Sequence, residues 1–343
     1  MKTDRILVTG GTGYIGSHTT VELQNAGFEV VIIDNLSNSN IEVLDGIERI
    51  TGVRPAFIEG DVTDRNTLIR LFEQHSDIKG IINFAASKAV GESVEKPLLY
   101  YRNNLVSLIN LLELMPQYGV KGIVFSSSCT VYGEPDQNPI DESAPIKVAT
   151  SPYGNTKQIC EDILRDVATA YGDVKGISLR YFNPIGAHPS ALIGELPRGV
   201  PQNLVPFVTQ TAAGIRECLS VFGDDYPTPD GSCLRDYIDV VDLAKAHVVA
   251  ITRMVEGKNK QAYEVFNVGT GNGVSVKELL SSFERVNGVK VNHKIAPRRP
   301  GDVVAIWADT TLANEELGWR AERTLDETLK SAWEWEKNVR GIK

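Results

Sequence analysis

Basic blocks, paired cysteines, histidine motifs and long apolar runs are all missing from this 343-residue chain, and each absence removes a class of function. Lys and Arg number 35 against 44 Asp and Glu, a formal net charge of −9, with no cationic tract to follow a phosphate backbone. Nucleic acid is therefore not an expected partner. The four cysteines, Cys129, Cys160, Cys218 and Cys233, form no CxxC pair and no disulfide ladder, which fits a reduced, cytoplasmic setting. The five histidines are scattered without HExxH, so no metal is expected. No apolar run reaches the ~18 residues of a membrane span, and "MKTDRILVTGG" does not read as a secretory leader.

What is present is an ordinary globular composition, 42% hydrophobic and 23% charged. In the first half, short apolar runs alternate with helical stretches: "RILVTG" (5–10), "EVVIID" (29–34), "AFIEGD" (56–61), "GIINFAA" (80–86), "GIVFSSS" (122–128) and "KGISLRYFN" (175–183). Continuous Val/Ile/Leu strands separated by helices predict a parallel sheet covered on both faces, a doubly wound α/β (Rossmann) fold. The texture loosens after about residue 184 into Pro- and Gly-rich loops. The expected organisation is a dinucleotide-binding domain over 1–183 and a smaller mixed α/β domain over 184–343. The chain returns to the first domain at about 235–255, where "RDYIDVVDLAKAHVVAITRMV" again looks like strand and helix.

"TGGTGYIG" places Gly10, Gly13 and Gly16 between a strand and a helix. Side chains there would hold a pyrophosphate away from the free N–H groups of the helix start. Asp34 ends the second strand, 18 residues past Gly16. Its carboxylate suits ribose hydroxyls and repels a 2′-phosphate, which favours NAD over NADP. Asp61, after the third strand, could receive the adenine amine or cap the helix that follows.

"SPYGNTK" sets Tyr153 and Lys157 one helical turn apart. Alone, such a pair is most simply a helix-surface contact. Ser128, however, ends the fifth strand, and strand carboxyl ends line the crevice of this fold. An ammonium and an oxidised nicotinamide beside Tyr153 would lower its pKa, making the phenolate a general base, with Ser128 bridging it to a substrate hydroxyl.

These motifs together resemble the extended short-chain dehydrogenase/reductase family and, within it, the branch that epimerises UDP-hexoses at C4. "DNLSNS", "KAVGESVEKPLLYYRNN", "FSSSCTVYG", "RYFNPIGAHPSALIGE", "QNLVPF", "VFGDDYPTPDGSCLRDYI" and "APRRPGD" share the likeness, which runs nearly the whole chain. The resemblance implies NAD-dependent interconversion of UDP-glucose and UDP-galactose through a 4-keto intermediate, with Tyr153 as base, Lys157 as its activator and Ser128 as partner. It implies cofactor contacts at Gly10, Gly13, Tyr14, Ile15, Gly16, Asp34, Asn35, Asn38, Ser39, Asp61, Val62, Phe84, Ala85, Lys88, Asn103, Tyr153, Lys157 and Tyr181. It places the UDP-sugar at Lys88, Ser128, Tyr153, Asn183, Asn203, Leu204, Phe222, Arg235, Arg299 and Asp302. Ile306 would lie beside the sugar, where its size bears on whether N-acetylated hexoses enter. Ala86 and Ser87 depart from the family's usual residues beside the cofactor.

Three alternatives compete. A sister 4,6-dehydratase needs an Asp-Glu pair before "VYG", where this chain has Cys129 and Thr130. A decarboxylase or reductase of the same family is another. A non-catalytic NAD-binding regulator is the third, but would not need Ser128, Tyr153 and Lys157 together. A helix around Pro97–Met115 with Leu98, Leu105, Leu108, Ile109, Leu112 and Met115 is apolar on nearly every side. With Ile159, Ile163 and Val167 on the "YGNTK" helix it predicts a homodimer, the pairing that related epimerases use.

Overall fold

In the computed structural model, which describes residues 4–299 and 302–342, the apolar runs of the first half become parallel strands. They are β1 (Arg5–Thr9), β2 (Glu29–Asp34), β3 (Ala56–Glu59), β4 (Ile78–Asn83), β5 (Gly122–Ser128) and β6 (Lys175–Tyr181). A seventh strand, Tyr263–Val268, pairs in parallel with β6. The sheet order is Tyr263–Val268, β6, β5, β4, β1, β2, β3.

Side chains alternate across this sheet, so each strand feeds two cores. Ile6, Val8, Val30 and Ile32 join one apolar cluster, while Leu7, Val31 and Ile33 join the other. Helices Tyr14–Asn25 and Val240–Val255 cover the first face through Val21, Leu23, Leu243, Ala246, Ala250 and Ile251. Helices Pro97–Leu114 and Pro152–Tyr171 cover the second through Leu108, Leu111, Leu112, Cys160 and Leu164. Burial on both faces is why the strands read as unbroken hydrophobic runs.

The smaller lobe has its own core of Val205, Val208, Leu219, Val221, Leu279, Phe283, Leu329 and Trp333. Helices Val276–Asn287 and Leu325–Arg340 in it start with capping boxes, Ser275 with Glu278 and Thr324 with Glu327. Its strands are short: Leu219–Phe222 beside His293–Ala296, Asn183–Ile185 beside Tyr237–Asp239, and Leu234–Arg235 between Val274–Ser275 and Ala305–Ile306.

The return to the first lobe goes further than the segment 235–255. It includes the seventh strand, and Ala313, Leu317 and Trp319 also pack into the first-lobe core. Strand order reverses between β1 and β4, and the crevice beyond their carboxyl ends is the expected ligand position of a doubly wound sheet.

Candidate active site

The glycine turn stands at that reversal. Gly10 has φ +71°, a backbone state that L side chains resist, and a Cβ on it would lie 3.0 Å from the Ala85 nitrogen. A Cβ on Gly16 would lie 2.3 Å from the Gly10 carbonyl oxygen. Gly13 caps helix Tyr14–Asn25 without a side chain, and the first turn holds no acid, so its N–H groups are free to meet an anion.

Asp34 is fixed toward this turn. Its Oδ1 accepts from the Leu36 N–H (2.9 Å) and the Ser39 hydroxyl (3.2 Å), and its Oδ2 accepts from the Thr12 N–H (3.2 Å). Asn35 and Asn38 lie on the same loop, and Asn35 donates to Asp61 at 3.0 Å. Asp61 does not cap the next helix; Asp64 does, accepting from the Asn66 N–H. Asp61 instead accepts from the Thr63 N–H and hydroxyl. Burial opposes the Asp61 charge, but the Thr63 and Asn35 bonds hold its pKa below the usual carboxylate value. Val62 points into the core and its carbonyl accepts from Asn110 at 3.1 Å.

The β4 end is tied down by Thr9, whose carbonyl accepts from the Phe84 N–H and whose hydroxyl accepts from the Ala85 N–H, both at 3.1 Å. Phe84 and Tyr181 both pack on the ring of His247, with centroids 4.7 and 5.8 Å apart. Asn103 donates to the hydroxyl of Ser87 at 3.1 Å, so one of the residues that departs from the family pattern orients the Asn103 amide.

The three serines ending β5 divide their work. The Ser126 carbonyl accepts from Lys157 Nζ at 2.6 Å. Ser127 donates to Glu161, itself held by Arg180 in a buried ion pair of 2.6 Å. Ser128 Oγ accepts from the Thr130 N–H at 3.2 Å, turning the chain at Cys129–Tyr132. Helix Pro152–Tyr171 begins here, because Ser151 caps it by accepting from the Gly154 N–H and Pro152 sets the first φ. Tyr153 and Lys157 thus share its first turns, with Nζ 5.8 Å from the Tyr153 ring centre and 4.7 Å from that of Phe125.

Burial lowers the Lys157 pKa from 10.5 to about 8. The lowered tyrosine expected from the sequence is not produced by the protein's own atoms. Burial raises the Tyr153 phenol, Cys129 and Cys160 add to the rise, and only the hydrogen bond with Ser128 opposes it. The Lys157 ammonium, turned onto the Ser126 carbonyl and the Phe125 face, does not counter this burial.

On the other side of the crevice, strand pairing sets Ile306 opposite Arg235. Arg299 grips Asp302 at 2.7 and 3.2 Å, and Arg235 approaches the same carboxylate at 3.8 Å. The exposed Phe222 ring lies 5.6 Å from the Arg299 guanidinium. Two guanidiniums against one carboxylate leave positive charge and an aromatic face, which suits a diphosphate carrying a base. Ile306 is buried with Cys129, Ile140, Phe182 and Ala308. Asn183 opens strand Asn183–Ile185, and Leu204 is the first residue of helix Leu204–Ala212. Asn203, at that helix's N-cap, does not cap it; its amide donates to Glu195 at 2.7 Å. Lys88 Nζ stands 4.0 Å from the same carboxylate oxygen. Glu195 closes the segment "RYFNPIGAHPSALIGE" but was given no role by the sequence reading, because it sits in a loop with no periodicity.

A family profile described as GDP-mannose 4,6 dehydratase matches residues 7–332. A UDP-glucose 4-epimerase of Bacillus subtilis (strain 168) is 52% identical over 339 residues, 98% of both chains. The chain belongs to the UDP-glucose 4-epimerase family. Among solved structures, a UDP-glucose 4-epimerase of Stenotrophomonas maltophila with NAD and formylated UDP-arabinopyranose matches with a TM-score of 0.95 at 46% identity, covering 99% of this chain and all of that one. The Bifidobacterium longum UDP-glucose 4-epimerase, in complex with NAD+ and UDP, matches with a TM-score of 0.94 at 46% identity and the same coverage. Membership in the epimerase family agrees with the crevice of this chain, where the glycine turn leaves room for a pyrophosphate and Asp34 faces it. Among the described residues no helix is long and apolar enough to cross a membrane, and no group of side chains could hold a metal ion.

Proposed function

We propose that the protein interconverts UDP-glucose and UDP-galactose by inversion at C4, with NAD bound as a resident cofactor. The observation that supports this most is the meeting of Ser128, Tyr153 and Lys157 at the β5 end, between the glycine turn and the arginine pair. Gly10, Gly13, Gly16, Asp34 and the Phe84–Ala85 backbone would hold NAD. When bound, it supplies the acceptor and donor of the C4 hydride and a positive ring charge near Tyr153. The chain's own part is the proton. Tyr153 takes it from O4 and returns it, Ser128 hydrogen-bonds both oxygens, and Lys157, held one helical turn away by the Ser126 carbonyl, would hold a ribose hydroxyl of the cofactor. Arg235 and Arg299 hold the diphosphate while the sugar turns.

A 4,6-dehydratase, the reading suggested by the name of the matching profile, needs a carboxylic acid where this chain has Cys129, its thiol pushed up to about 12 by burial, and Thr130. Further parts of the proposal are a homodimer and a cytoplasmic location, the latter supported by four unpaired cysteines. The deciding experiment incubates purified protein with UDP-galactose and no added NAD. UDP-glucose should form, and Tyr153→Phe should slow it about 10²-fold or more. A 4-keto-6-deoxy product, or an unimpaired Tyr153→Phe enzyme, overturns the assignment.

A further inference from the structure

A buried ion pair lies directly beside the residues of the proton transfer and takes no part in it. Glu161 follows Lys157 by one helical turn, so Tyr153, Lys157 and Glu161 form a stripe along helix Pro152–Tyr171. Arg180 on β6 meets it, and each side chain is only 7% exposed. The Arg180 Nε donates to one Glu161 oxygen at 2.9 Å and Nη2 to the other at 2.6 Å, a two-point grip. In the sheet Ser127 pairs with Arg180, and Arg180 pairs with Asn267, so three polar side chains stand side by side across three strands.

Each end of the pair holds a piece of the β5 terminus. Glu161 accepts from the hydroxyl of Ser127, which lies between the Ser126 carbonyl that takes Lys157 Nζ and Ser128 itself. Arg180 Nη1 donates to the Tyr132 hydroxyl at 3.0 Å, and Tyr132 closes the Cys129–Tyr132 turn that Ser128 begins. That hydroxyl in turn donates to Asn267 at 2.7 Å. A fold alone does not need such a pair: two buried charges lose their hydration, and apolar side chains of similar size often stabilise as well or better. The charges are accounted for if they fix a geometry that apolar contacts would leave loose. The helix that carries Tyr153 and Lys157 is the one that carries Glu161, and the strand it grips is the one that carries Ser128.

We propose that Glu161 and Arg180 are positioning residues whose ion pair sets the β5 end against helix Pro152–Tyr171, and with it the spacing of Ser128, Tyr153 and Lys157. This rests on the functional reading above. The test uses NAD-loaded protein and the variants Glu161→Met, Arg180→Met, Glu161→Met/Arg180→Met and Ser127→Ala/Tyr132→Phe. Each single Met variant leaves a buried charge unpaired and should melt at lower temperature, and the double Met variant should regain most of that loss. Recovered stability should not bring recovered catalysis. The kcat of the double Met variant with UDP-galactose should stay ~10- to 100-fold below wild type, the cost of slightly misplaced reacting groups, while UDP affinity stays within ~2-fold. Ser127→Ala/Tyr132→Phe cuts both ties and leaves the ion pair, and should lower kcat in the same way.

Hydrogen exchange reads the geometry without turnover. Amides of 126–132 should exchange ~10-fold faster in the double Met variant and in Ser127→Ala/Tyr132→Phe, with the rest of the sheet unchanged. Wild-type kcat in the double Met variant means that the pair serves stability alone and overturns the proposal, as does unchanged exchange at 126–132. Should the double Met variant not fold, Ser127→Ala/Tyr132→Phe decides by the same two readouts. A wild type without turnover refutes the epimerase reading, and exchange at 126–132 then decides the positioning by itself.

Discussion

Acid should loosen this fold through two buried histidines, one on each of the helices Tyr14–Asn25 and Val240–Val255 that cover the same sheet face. His18 and His247 are buried, each with Nδ1 donating to the carbonyl four residues earlier, Tyr14 and Leu243, and each with an Nε2 that has no partner among the described residues. Burial takes His18 from 6.5 down to about 3, helped by nearby His188, and takes His247 down to about 4. Both are therefore neutral when folded. Above pH 6.5 they are neutral in the unfolded chain as well and have no effect on stability. As pH falls below 6.5 the unfolded chain takes up protons that the folded one refuses, and stability falls by ~1.4 kcal/mol per pH unit per histidine. Between pH 6.5 and 5 that is ~2 kcal/mol for each, a large part of a typical ~5–15 kcal/mol.

The informative variant is His247→Phe, which keeps a ring against Phe84 and Tyr181 and removes both the titration and the unpartnered nitrogen. Urea unfolding of both proteins at pH 7.5, 6 and 5 measures the difference. The variant should be at least as stable at pH 7.5 and should gain ~2 kcal/mol on the wild type by pH 5. Parallel pH curves for the two proteins would refute the argument that His247 is held neutral.

Protein denatured after extensive washing should release NAD rather than NADP, and Asp34→Ala should weaken that preference; release of chiefly NADP sinks the reading of Asp34. Sedimentation at micromolar concentration should give a dimer that Leu98→Glu with Ile109→Glu converts to monomer, since both side chains are exposed in one chain; a wild-type monomer refutes the pairing. Ile306→Tyr should shift kcat/KM against N-acetylated UDP-hexoses by ~1–3 kcal/mol, because a larger ring must displace Cys129 or Phe182; an unchanged ratio means Ile306 is not the gate.

The strands that could be read from the sequence are those buried on both faces, where Val and Ile are the only practical choice. Tyr263–Val268 escaped because Glu264 and Asn267 interrupt its apolar run and their side chains are spent on partners outside the strand. Glu264 pairs with Arg253, and Asn267 accepts from the Tyr132 hydroxyl. Those contacts leave no trace in local periodicity. The Tyr153–Lys157 pair was legible because one helical turn fixes it. Where the Lys157 ammonium points was not, since that depends on a carbonyl of a strand 31 residues earlier. Helix Pro97–Leu114 reads as apolar all round, yet its residues divide: Leu108 and Leu112 are in the core, while Leu98 and Ile109 face out.

The repeated passage of the chain between its lobes bears on how the crevice can move. A two-lobed protein joined by one linker can open like a jaw. Here the second lobe is sewn to the first before Asn183, again around Tyr237–Val240, after Val268 and on both sides of Ala313–Trp319. Bending every seam together is far harder than bending one, so wide opening is suppressed. An oxidised sugar would then find it easier to turn about its diphosphate than to leave, and a dinucleotide beneath it would have no ready exit. Confinement by stitching, with no lid required, would let one bound cofactor serve many turnovers.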